Sequence, residues 1–403
     1  MRSGSCSCSD AYRLVRVSEP YAVAARATAG AFRWTQGNSF RLLVDGGEFF
    51  PRMLAAIAAA RSFVLLEMYL VQSGAVMDRF IEAFVAARAR GVAVCILIDA
   101  FGSLRLTGVD RQRLVEAGVH LADYNVLGWR KRLANLLRNH RKLLLVDDRI
   151  AFVGGAGLTD DFDSAVSEHA WHDLMLEIRG PVVHDWHRLF VHTSLRRLGR
   201  TVPPLPLIDP PAAGEGAGRL VTSAGWHRSQ LAASVLQRID TAQRRVWIMS
   251  AYFVTSHRLR KALRTAVRRG VDVRLMVPGP RTDHPLVRHA ARRFFGKLLR
   301  NRVRIFEYQP RFLHAKLMLC DDWVSVGSSN FDRWSFKWNL EANQEALDPT
   351  LAEQAARLFV RDEALSSELH ARQWRYRALA DRLRESFAGA LDRWLERWRR
   401  PSA

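Results

Sequence analysis

The sequence predicts an α/β protein with two similar lobes, each a mixed β-sheet flanked by helices. Three observations lead to this fold class. Apolar runs of strand length alternate with segments whose apolar residues recur at helical spacing. The pattern strand, helix, Arg-Gly-Val, strand occurs twice, at residues 63–98 and 245–277. A stretch rich in Pro and Gly at residues 201–218 separates the two copies, so we place a linker there.

The elements follow in the same order in each copy. A buried strand leads into a helix, a glycine ends that helix, and a second apolar strand follows. Further along, each copy has a helix end that runs into a third strand. The strands are predicted at residues 63–71, 92–98, 245–254 and 271–277, and the helix-to-strand junctions at residues 117–125 and 301–309.

Five segments are predicted along the chain. They are a partly disordered tail at residues 1–30, a first lobe at 31–200, the linker at 201–218, a second lobe at 219–350 and basic C-terminal helices at 351–403. The hydrophobic content of 48% provides material for a core and excludes a disordered, collagen-like or disulfide-scaffold protein. A net charge of +21 favours an anionic partner, which charge alone leaves open among phospholipid surfaces, nucleic acid and phosphate-bearing substrates.

The cysteines and the apolar runs bear on location. Cys95 and Cys320 lie in apolar runs and are expected to be reduced core residues, whereas Cys6 and Cys8 lie in a disordered tail, with a metal or redox role as the alternative. The start of the chain lacks the apolar region of a signal peptide, and no stretch of about 18 uncharged apolar residues occurs. We therefore expect neither a signal peptide nor a transmembrane helix.

The motif with the most chemical information is His-x-Lys-x4-Asp, which occurs once in each copy. Its residues are His140, Lys142, Asp147, His314, Lys316 and Asp321. A lone His-x-Lys is usually surface decoration. Composition predicts roughly 0.01 chance matches to the full motif, so two matches at equivalent places of a repeat indicate function.

The spacing suits chemistry on a phosphodiester. A His and a Lys two residues apart on a strand face the same side, so two motifs would gather two imidazoles and two ammonium groups around one point. The lysines would hold the phosphate oxygens, while one histidine attacks phosphorus and the other protonates the leaving alcohol. Each motif aspartate could fix a histidine tautomer or pair with a lysine. No metal or other cofactor is required, because the lysines supply the positive charge.

A turn of small residues follows each motif, at 153–157 and 326–330. We expect the backbone at Gly155 and the side chains of Ser328 and Asn330 to contact the phosphate. An ordinary tight turn after a strand is the alternative.

With these motifs the chain resembles the phospholipase D superfamily, which is defined by two His-x-Lys-x4-Asp motifs. Within it, the chain is similar to the bacterial cardiolipin synthases of the shorter type without N-terminal membrane helices. The resemblance covers about residues 38–349. Its characteristic segments include Leu66–Tyr69, Asp99–Ser103, Trp171–Asp173, Ser250–Phe253, Gly327–Trp334 and Asn339–Glu341.

The resemblance implies one active site at the pseudo-twofold interface between the lobes and a covalent phosphohistidine intermediate. It implies transfer of a phosphatidyl group from one phosphatidylglycerol to another, which gives cardiolipin and releases glycerol. It favours His140 as the nucleophile and His314 as the general acid. Glu341 and Asp173 are expected near the site, in matching places after each motif, and Glu341 is expected among the substrate-binding residues.

Two features depart from the family pattern. Gly157 stands where the family usually has Asn, which removes one possible phosphate donor. The second motif has five residues between its Asp and the following Gly327, where the first motif has six before Gly154. We expect the missing residue to shorten a surface turn and the activity to persist.

Basic apolar segments favour a lipid partner. Residues 126–139, residues 292–300 and a C-terminal helix fit an anionic membrane interface, with packing on the protein as the alternative. The helix carries Leu383, Phe387, Leu391, Trp394 and Trp398 at helical spacing. We expect a protein on the cytoplasmic face of the bacterial inner membrane that binds anionic phospholipid. A phospholipid hydrolase, a phosphodiesterase or nuclease, and a non-catalytic basic scaffold are the alternatives; nucleic acid is disfavoured by the two motifs and the apolar basic segments.

Overall fold

The computed structural model describes residues 32–198, 205, 208–224, 229–332, 335 and 339–398. The expectations for the tail at residues 1–30, including Cys6 and Cys8, lie outside the described residues. Cys95 and Cys320 are buried free thiols, as predicted. None of the helices within the described ranges combines the length and the apolar character needed to cross a bilayer.

The first lobe contains seven strands and four α-helices in the described ranges. Its strands are β1 (Thr35–Val44), β2 (Phe63–Met68), β3 (Ala93–Asp99), β4 (His120–Tyr124), β5 (Lys142–Val146), β6 (Ile150–Gly154) and β7 (Leu174–Arg179). Its helices are α1 (Asp45–Ala58), α2 (Ala75–Ala89), α3 (Gly108–Glu116) and α4 (Val182–Leu198), with short 3-10 helices at Trp129–Leu136 and Asp160–Phe162.

The second lobe repeats this plan and adds C-terminal elements. Its strands are β8 (Gly216–Ala224), β9 (Arg245–Ser250), β10 (Asp272–Pro278), β11 (Arg304–Tyr308), β12 (Lys316–Cys320), β13 (Trp323–Gly327), β14 (Leu340–Leu347) and β15 (Ser366–Leu369). Its helices are α5 (Gln230–Thr241), α6 (His257–Arg268), α7 (Pro285–Arg292), α8 (Phe295–Arg300), α9 (Pro349–Ala364), α10 (Ala371–Arg375) and α11 (Leu379–Trp398).

The strands of both lobes join in one mixed sheet, which confirms the predicted fold class. From the centre outward, the first lobe has the order β1-β7-β6-β5-β2-β3-β4 and the second has β8-β14-β13-β12-β9-β10-β11-β15. Strands β2, β3 and β4 are parallel, as are β9, β10 and β11, and the remaining pairs are antiparallel. The lobes are joined at the centre because β1 pairs with β8. The pseudo-twofold axis therefore passes through the sheet itself.

The segment expected as a linker contributes its last residues to this junction. Gly216 and Gly218 lie in β8, opposite Asn38 and Thr35 of β1. A Cβ atom at either glycine would approach the Phe40 ring to 2.9 Å, so glycine permits the close contact between the lobes. One apolar core cluster extends through both lobes, and α9 packs on it through Leu351, Ala355, Leu358 and Phe359.

The two motif strands lie at equivalent places in the sheet, and the turns after them differ by one residue. In the first lobe Val146 pairs with Ile150, so three residues form the turn. In the second lobe Cys320 pairs with Trp323, so two residues form the turn. The prediction that the missing residue shortens a turn is confirmed.

Candidate active site

The two motif histidines are held by backbone contacts that cross between the lobes. The backbone N–H of His140 donates to the Leu340 carbonyl at 3.0 Å, and that of His314 donates to the His172 carbonyl at 2.8 Å. In return, Leu340 N–H bonds to the Arg138 carbonyl and His172 N–H to the Phe312 carbonyl. Each histidine thus lies two residues before its motif strand and is fixed to the opposite lobe.

Each histidine ring also pairs with a carboxylate from the opposite lobe. His140 Nδ1 lies 3.0 Å from Glu341 Oε1, and His314 Nδ1 lies 2.6 Å from Asp173 Oδ2. A carboxylate beside Nδ1 holds the ring proton there, which leaves Nε2 as the nitrogen available for chemistry. Glu341 and Asp173 lie beside the site, as expected, and they fill the tautomer-fixing role first considered for the motif aspartates.

The motif aspartates bond to backbone N–H groups and not to the motif histidines or lysines. The expectation that they fix a histidine tautomer or pair with a lysine is therefore wrong. The Asp147 carboxylate accepts hydrogen bonds of 2.8 Å from the backbone N–H groups of Arg61, Ser62 and Phe63. Asp321 does the same for the three residues that lead into β9. Seven residues of nearly extended chain, at about 3.3 Å each, place the aspartate roughly 23 Å along the strand from the histidine. Both carboxylates instead fix the starts of β2 and β9.

The motif lysines are buried beside the histidines. Lys142 Nζ donates to the His140 carbonyl at 2.7 Å, and Lys316 Nζ lies 3.1 Å from His314 Nε2. Burial lowers the pKa of both ammonium groups, that of Lys142 to about 7. Burial and the neighbouring lysines also lower the pKa of both histidines, that of His314 to about 4. Burial therefore disfavours the charged forms of these four groups, and an anionic phosphate beside them would favour the charged forms.

The residues expected to contact phosphate divide into two groups. Ser328 Oγ donates to Glu341 Oε2 at 2.5 Å and accepts from Ala342 N–H at 3.1 Å, so this hydroxyl supports the carboxylate. A Cβ at Gly155 would lie 2.4 Å from Asp173 Oδ1, so glycine makes room for the other carboxylate. Asn330 is buried, and its Oδ1 has no hydrogen-bond partner among the described residues.

The departure at Gly157 also has a steric reason. A Cβ there would lie 2.5 Å from the Leu70 carbonyl oxygen, so this turn has no room for an asparagine side chain. Asn330 is the asparagine that remains in the two turns, which leaves its amide as the candidate neutral phosphate ligand.

Aromatic rings lie around the two histidines, a role that no sequence pattern indicates for them. The Tyr69 ring lies 4.7 Å from that of His140, between ring centroids. Trp171, Phe162 and Phe312 surround His314 at 5.1, 5.5 and 5.6 Å. Such rings exclude water from the imidazoles and contribute to their lowered pKa. Periodicity does not identify them because they come from loops and a short 3-10 helix, in both lobes.

The segment at residues 126–139 lies next to the site and exposes apolar side chains. Trp129 begins the 3-10 helix and is 98% exposed, and Leu104, in the loop after β3, is 65% exposed. Arg138, at the other end of the segment, is buried and bonds to Asp99. The segment is thus anchored at its end near His140 and open to the outside at Trp129.

Comparisons with known proteins identify relatives along most of the chain. The family profile described as "Cardiolipin synthase, PLD-like domain" matches residues 53–186 and 235–363, one stretch in each lobe. Cardiolipin synthase A of Pseudomonas entomophila is 35% identical over 361 residues, which cover 88% of this chain and 75% of that protein. Cardiolipin synthase A of Pseudomonas aeruginosa LESB58 is 36% identical over 336 residues, which cover 82% and 68%.

Solved structures share the fold. Phosphatidylserine synthase of Haemophilus influenzae Rd KW20 superposes with a TM-score of 0.69 at 13% identity and covers 94% of this chain and 99% of its own. Polyphosphate kinase of Porphyromonas gingivalis superposes with a TM-score of 0.58 at 15% identity and covers 83% and 49%. At these identities the likeness concerns the fold alone. The family profile in both lobes and the identity to the Pseudomonas proteins confirm the resemblance seen in the sequence, and the chain belongs to the cardiolipin synthase family of phospholipase D-like proteins.

Proposed function

We propose that this protein is a cardiolipin synthase that transfers a phosphatidyl group from one phosphatidylglycerol to another and releases glycerol. One observation carries the proposal: two histidines and two lysines from a duplicated motif meet at the lobe interface, and each histidine has its own carboxylate. Its relatives named cardiolipin synthase A support the choice of substrate. The lowered pKa values of the lysines fit a site that binds an anionic diester.

The first step forms a phosphorus–nitrogen bond. Nε2 of one histidine attacks phosphorus of the bound phosphatidylglycerol, and the bond from phosphorus to the glycerol oxygen breaks. The second histidine donates its proton to that oxygen, so glycerol leaves as a neutral alcohol. Lys142, Lys316 and the Asn330 amide stabilise the charge that develops on the phosphate oxygens.

In the second step the second histidine acts as a base, and the phosphorus–nitrogen bond formed in the first step breaks. The terminal hydroxyl of a second phosphatidylglycerol loses its proton to the second histidine and attacks phosphorus. The phosphorus–nitrogen bond breaks, cardiolipin forms, and both histidines return to their starting states. Water in place of that hydroxyl would give phosphatidic acid. The aromatic rings around His314 favour the lipid acceptor because they limit the access of water.

We assign His140 as the nucleophile and His314 as the general acid, as the sequence resemblance favours. Burial and the Lys316 charge lower the pKa of His314 to about 4, which favours its neutral form. An anionic diester beside Lys316 offsets the ammonium charge and raises the pKa of the imidazole. Asp173, 2.6 Å from Nδ1, then stabilises the imidazolium that an acid requires.

Binding to an anionic membrane surface belongs to the same proposal. Trp129, in the segment that leads to His140, and Leu104 are exposed, and α11 exposes Leu383 and Phe387 while it buries Glu385 against α7. An exposed apolar stripe on a protein of charge +21 suits a layer of anionic headgroups above acyl chains. The basic segment at residues 292–300 packs within the second lobe through Phe295 and Leu298, while Lys297 and Arg300 are exposed.

Lipid turnover tests the proposal directly. The purified protein would be incubated with phosphatidylglycerol vesicles, and the lipids followed by mass spectrometry beside the His140→Ala and His314→Ala variants. We expect cardiolipin and glycerol in equal amounts from the wild type and neither from the variants. Phosphatidic acid alone would indicate a hydrolase, and the absence of turnover would refute the assignment and direct the next assay to DNA.

A further inference from the structure

His172 lies between two carboxylates at the lobe interface, next to the site but outside the motifs. Its side chain is fully buried. Nδ1 lies 2.8 Å from Asp45 Oδ1, and Nε2 lies 2.7 Å from Asp362 Oδ2. An ionised carboxylate only accepts hydrogen bonds, so the ring satisfies both partners when it carries a proton on each nitrogen. The geometry thus calls for a buried imidazolium.

Two carboxylates and two guanidinium groups surround this ring, so the cluster carries one net positive charge when the ring is an imidazolium. Arg311 Nη2 also lies 3.4 Å from His172 Nδ1, farther away than Asp45 Oδ1 at 2.8 Å. Arg311 pairs with Asp45, and Arg361 Nη2 lies 3.0 Å from Asp362 Oδ1. The Tyr308 ring stacks on the imidazole with 5.1 Å between centroids. Burial alone would lower the pKa of His172, but the hydrogen bonds to Asp362 and Asp45 raise it to about 9. The imidazolium therefore persists at neutral pH.

The two carboxylates come from different parts of the chain, so the ring connects the lobes. Asp45 begins α1 of the first lobe, and Asp362 lies in α9, which follows the second. Asp45 has a φ of 64°, a left-handed conformation that is unusual for a residue other than glycine. The surrounding contacts hold it there, since its N–H bonds to the Asp173 carbonyl at 3.0 Å.

The cluster of His172, Asp45 and Asp362 contacts Asp173, the residue that pairs with His314. Asp45 Oδ1 also accepts from the Asp173 N–H at 3.2 Å. The His172 carbonyl accepts from the His314 N–H at 2.8 Å. The cluster therefore fixes both ends of the Asp173–His314 pair. The equivalent residue in the other half of the site is Leu340, which has no titratable side chain.

We infer that His172 is a positioning residue that, as an imidazolium bridging Asp45 and Asp362, fixes Asp173 against His314. The inference rests on the proposed function for its kinetic consequence and on the geometry for its structural one. When His172 loses one ring proton, one of its hydrogen bonds to Asp45 and Asp362 is lost, and Asp173 is held less firmly. The half-reaction in which His314 transfers a proton then slows, while binding of phosphatidylglycerol changes little.

The test uses His172→Gln with His187→Gln as a matched control. His187 is also fully buried, and its Nδ1 pairs with Asp148 at 2.7 Å, but it contacts neither motif histidine. In the full-length protein with phosphatidylglycerol vesicles, His172→Gln is expected to lower kcat about 10- to 100-fold with KM nearly unchanged. The control is expected to keep kcat, although both variants lower Tm. Wild-type kcat in a folded His172→Gln variant would overturn the inference.

A second readout separates this inference from the proposed function. NMR of histidine labelled at Cε1, assigned with the two variants, would follow each imidazole from pH 6 to 10. We expect His172 to stay protonated until near pH 9, and the His314 resonance to move in His172→Gln but not in His187→Gln. If the wild type makes no cardiolipin, the transferase assignment fails and this shift alone decides the inference. A neutral His172 at pH 7, or an unmoved His314 resonance, would contradict it.

Discussion

The two halves of the site share one plan but use different side chains. In the half-site of His140, Glu341 reaches the ring and Ser328 Oγ donates to that carboxylate at 2.5 Å. In the half-site of His314, the shorter Asp173 pairs at 2.6 Å, and Gly155 stands where the other half has Ser328. The repeated fold provides the placement twice, while side-chain length and neighbours give each histidine its own environment. One fold can thus support two chemical roles.

The largest effect is expected from removing either histidine. His140→Asn and His314→Asn each retain a polar side chain but lose the ring nitrogen that attacks or transfers a proton. Cardiolipin formation should fall by at least about 10⁴-fold in both. The assay is product formation from phosphatidylglycerol vesicles, with Tm as the control for folding. Substantial activity in one variant would show that its half-site is dispensable.

The difference between Gly155 and Ser328 sharpens the comparison. In Gly155→Ala the new Cβ would meet the Asp173 carboxylate at 2.4 Å, so Asp173 must move away from its position beside His314. We expect kcat to fall about 100-fold. Ser328→Ala removes one hydrogen bond to Glu341 and should cost about 10-fold. Equal effects would contradict the view that steric room, rather than polarity, matters at Gly155.

The charge of Lys142 should be visible in the pH dependence. Because burial lowers its pKa to about 7, the group is charged below that pH and becomes neutral as the pH rises. The value of kcat/KM for phosphatidylglycerol is therefore expected to decline above about pH 7. Lys142→Arg keeps its charge at every accessible pH and should lose that decline, even at reduced activity. A profile that is unchanged in this variant would assign the decline to another group.

The motif aspartates should affect stability more than chemistry. Asp147→Asn replaces a carboxylate that accepts three backbone N–H groups with an amide that has one acceptor oxygen. We expect the free energy of unfolding to fall by about 1–3 kcal/mol and kcat of the folded fraction to change less than about twofold. Urea unfolding measures the free energy of unfolding, and kinetics at low temperature measure kcat of the folded protein. A loss of kcat without loss of stability would return Asp147 to a catalytic role.

The smallest effect is expected at the membrane surface. Trp129→Ala removes an exposed ring near the site while the anchored residues around it remain. Binding to vesicles rich in phosphatidylglycerol should weaken by roughly tenfold or less, with kcat at saturating lipid unchanged. Tyr376→Ala, which removes an exposed aromatic ring from the second lobe, is the comparison variant for vesicle binding. Unchanged vesicle binding in both would exclude these side chains from the interface.

Much of this fold could be predicted from sequence because its apolar residues recur periodically and its motifs occur twice. Strand and helix order, the two lobes and the four motif residues His140, Lys142, His314 and Lys316 all follow from local patterns. The strands β2 and β9 end earlier than predicted, at Met68 and Ser250, because the apolar runs continue into loops that line the site. Local patterns do not mark where hydrogen bonding stops.

The contacts between the lobes could not be predicted in the same way. The pairing of His140 with Glu341 and of His314 with Asp173 depends on how β1 and β8 align the two lobes. Spacing within one motif gives no information on that alignment. It therefore suggests the motif aspartates, rather than Glu341 and Asp173, as the carboxylates that fix the histidine tautomers. The sequence marks His172 only as part of a characteristic segment, because its partners are 127 and 190 residues away.

Trapping of the covalent intermediate tests the central claim most directly. The full-length protein would be mixed with phosphatidylglycerol, quenched within the first turnover and digested for mass spectrometry. The account predicts a phosphatidyl adduct on His140, absent in His140→Asn. Cardiolipin formation with no adduct on either histidine would contradict the two-step mechanism, and an adduct on His314 would reverse the assigned roles of the two half-sites.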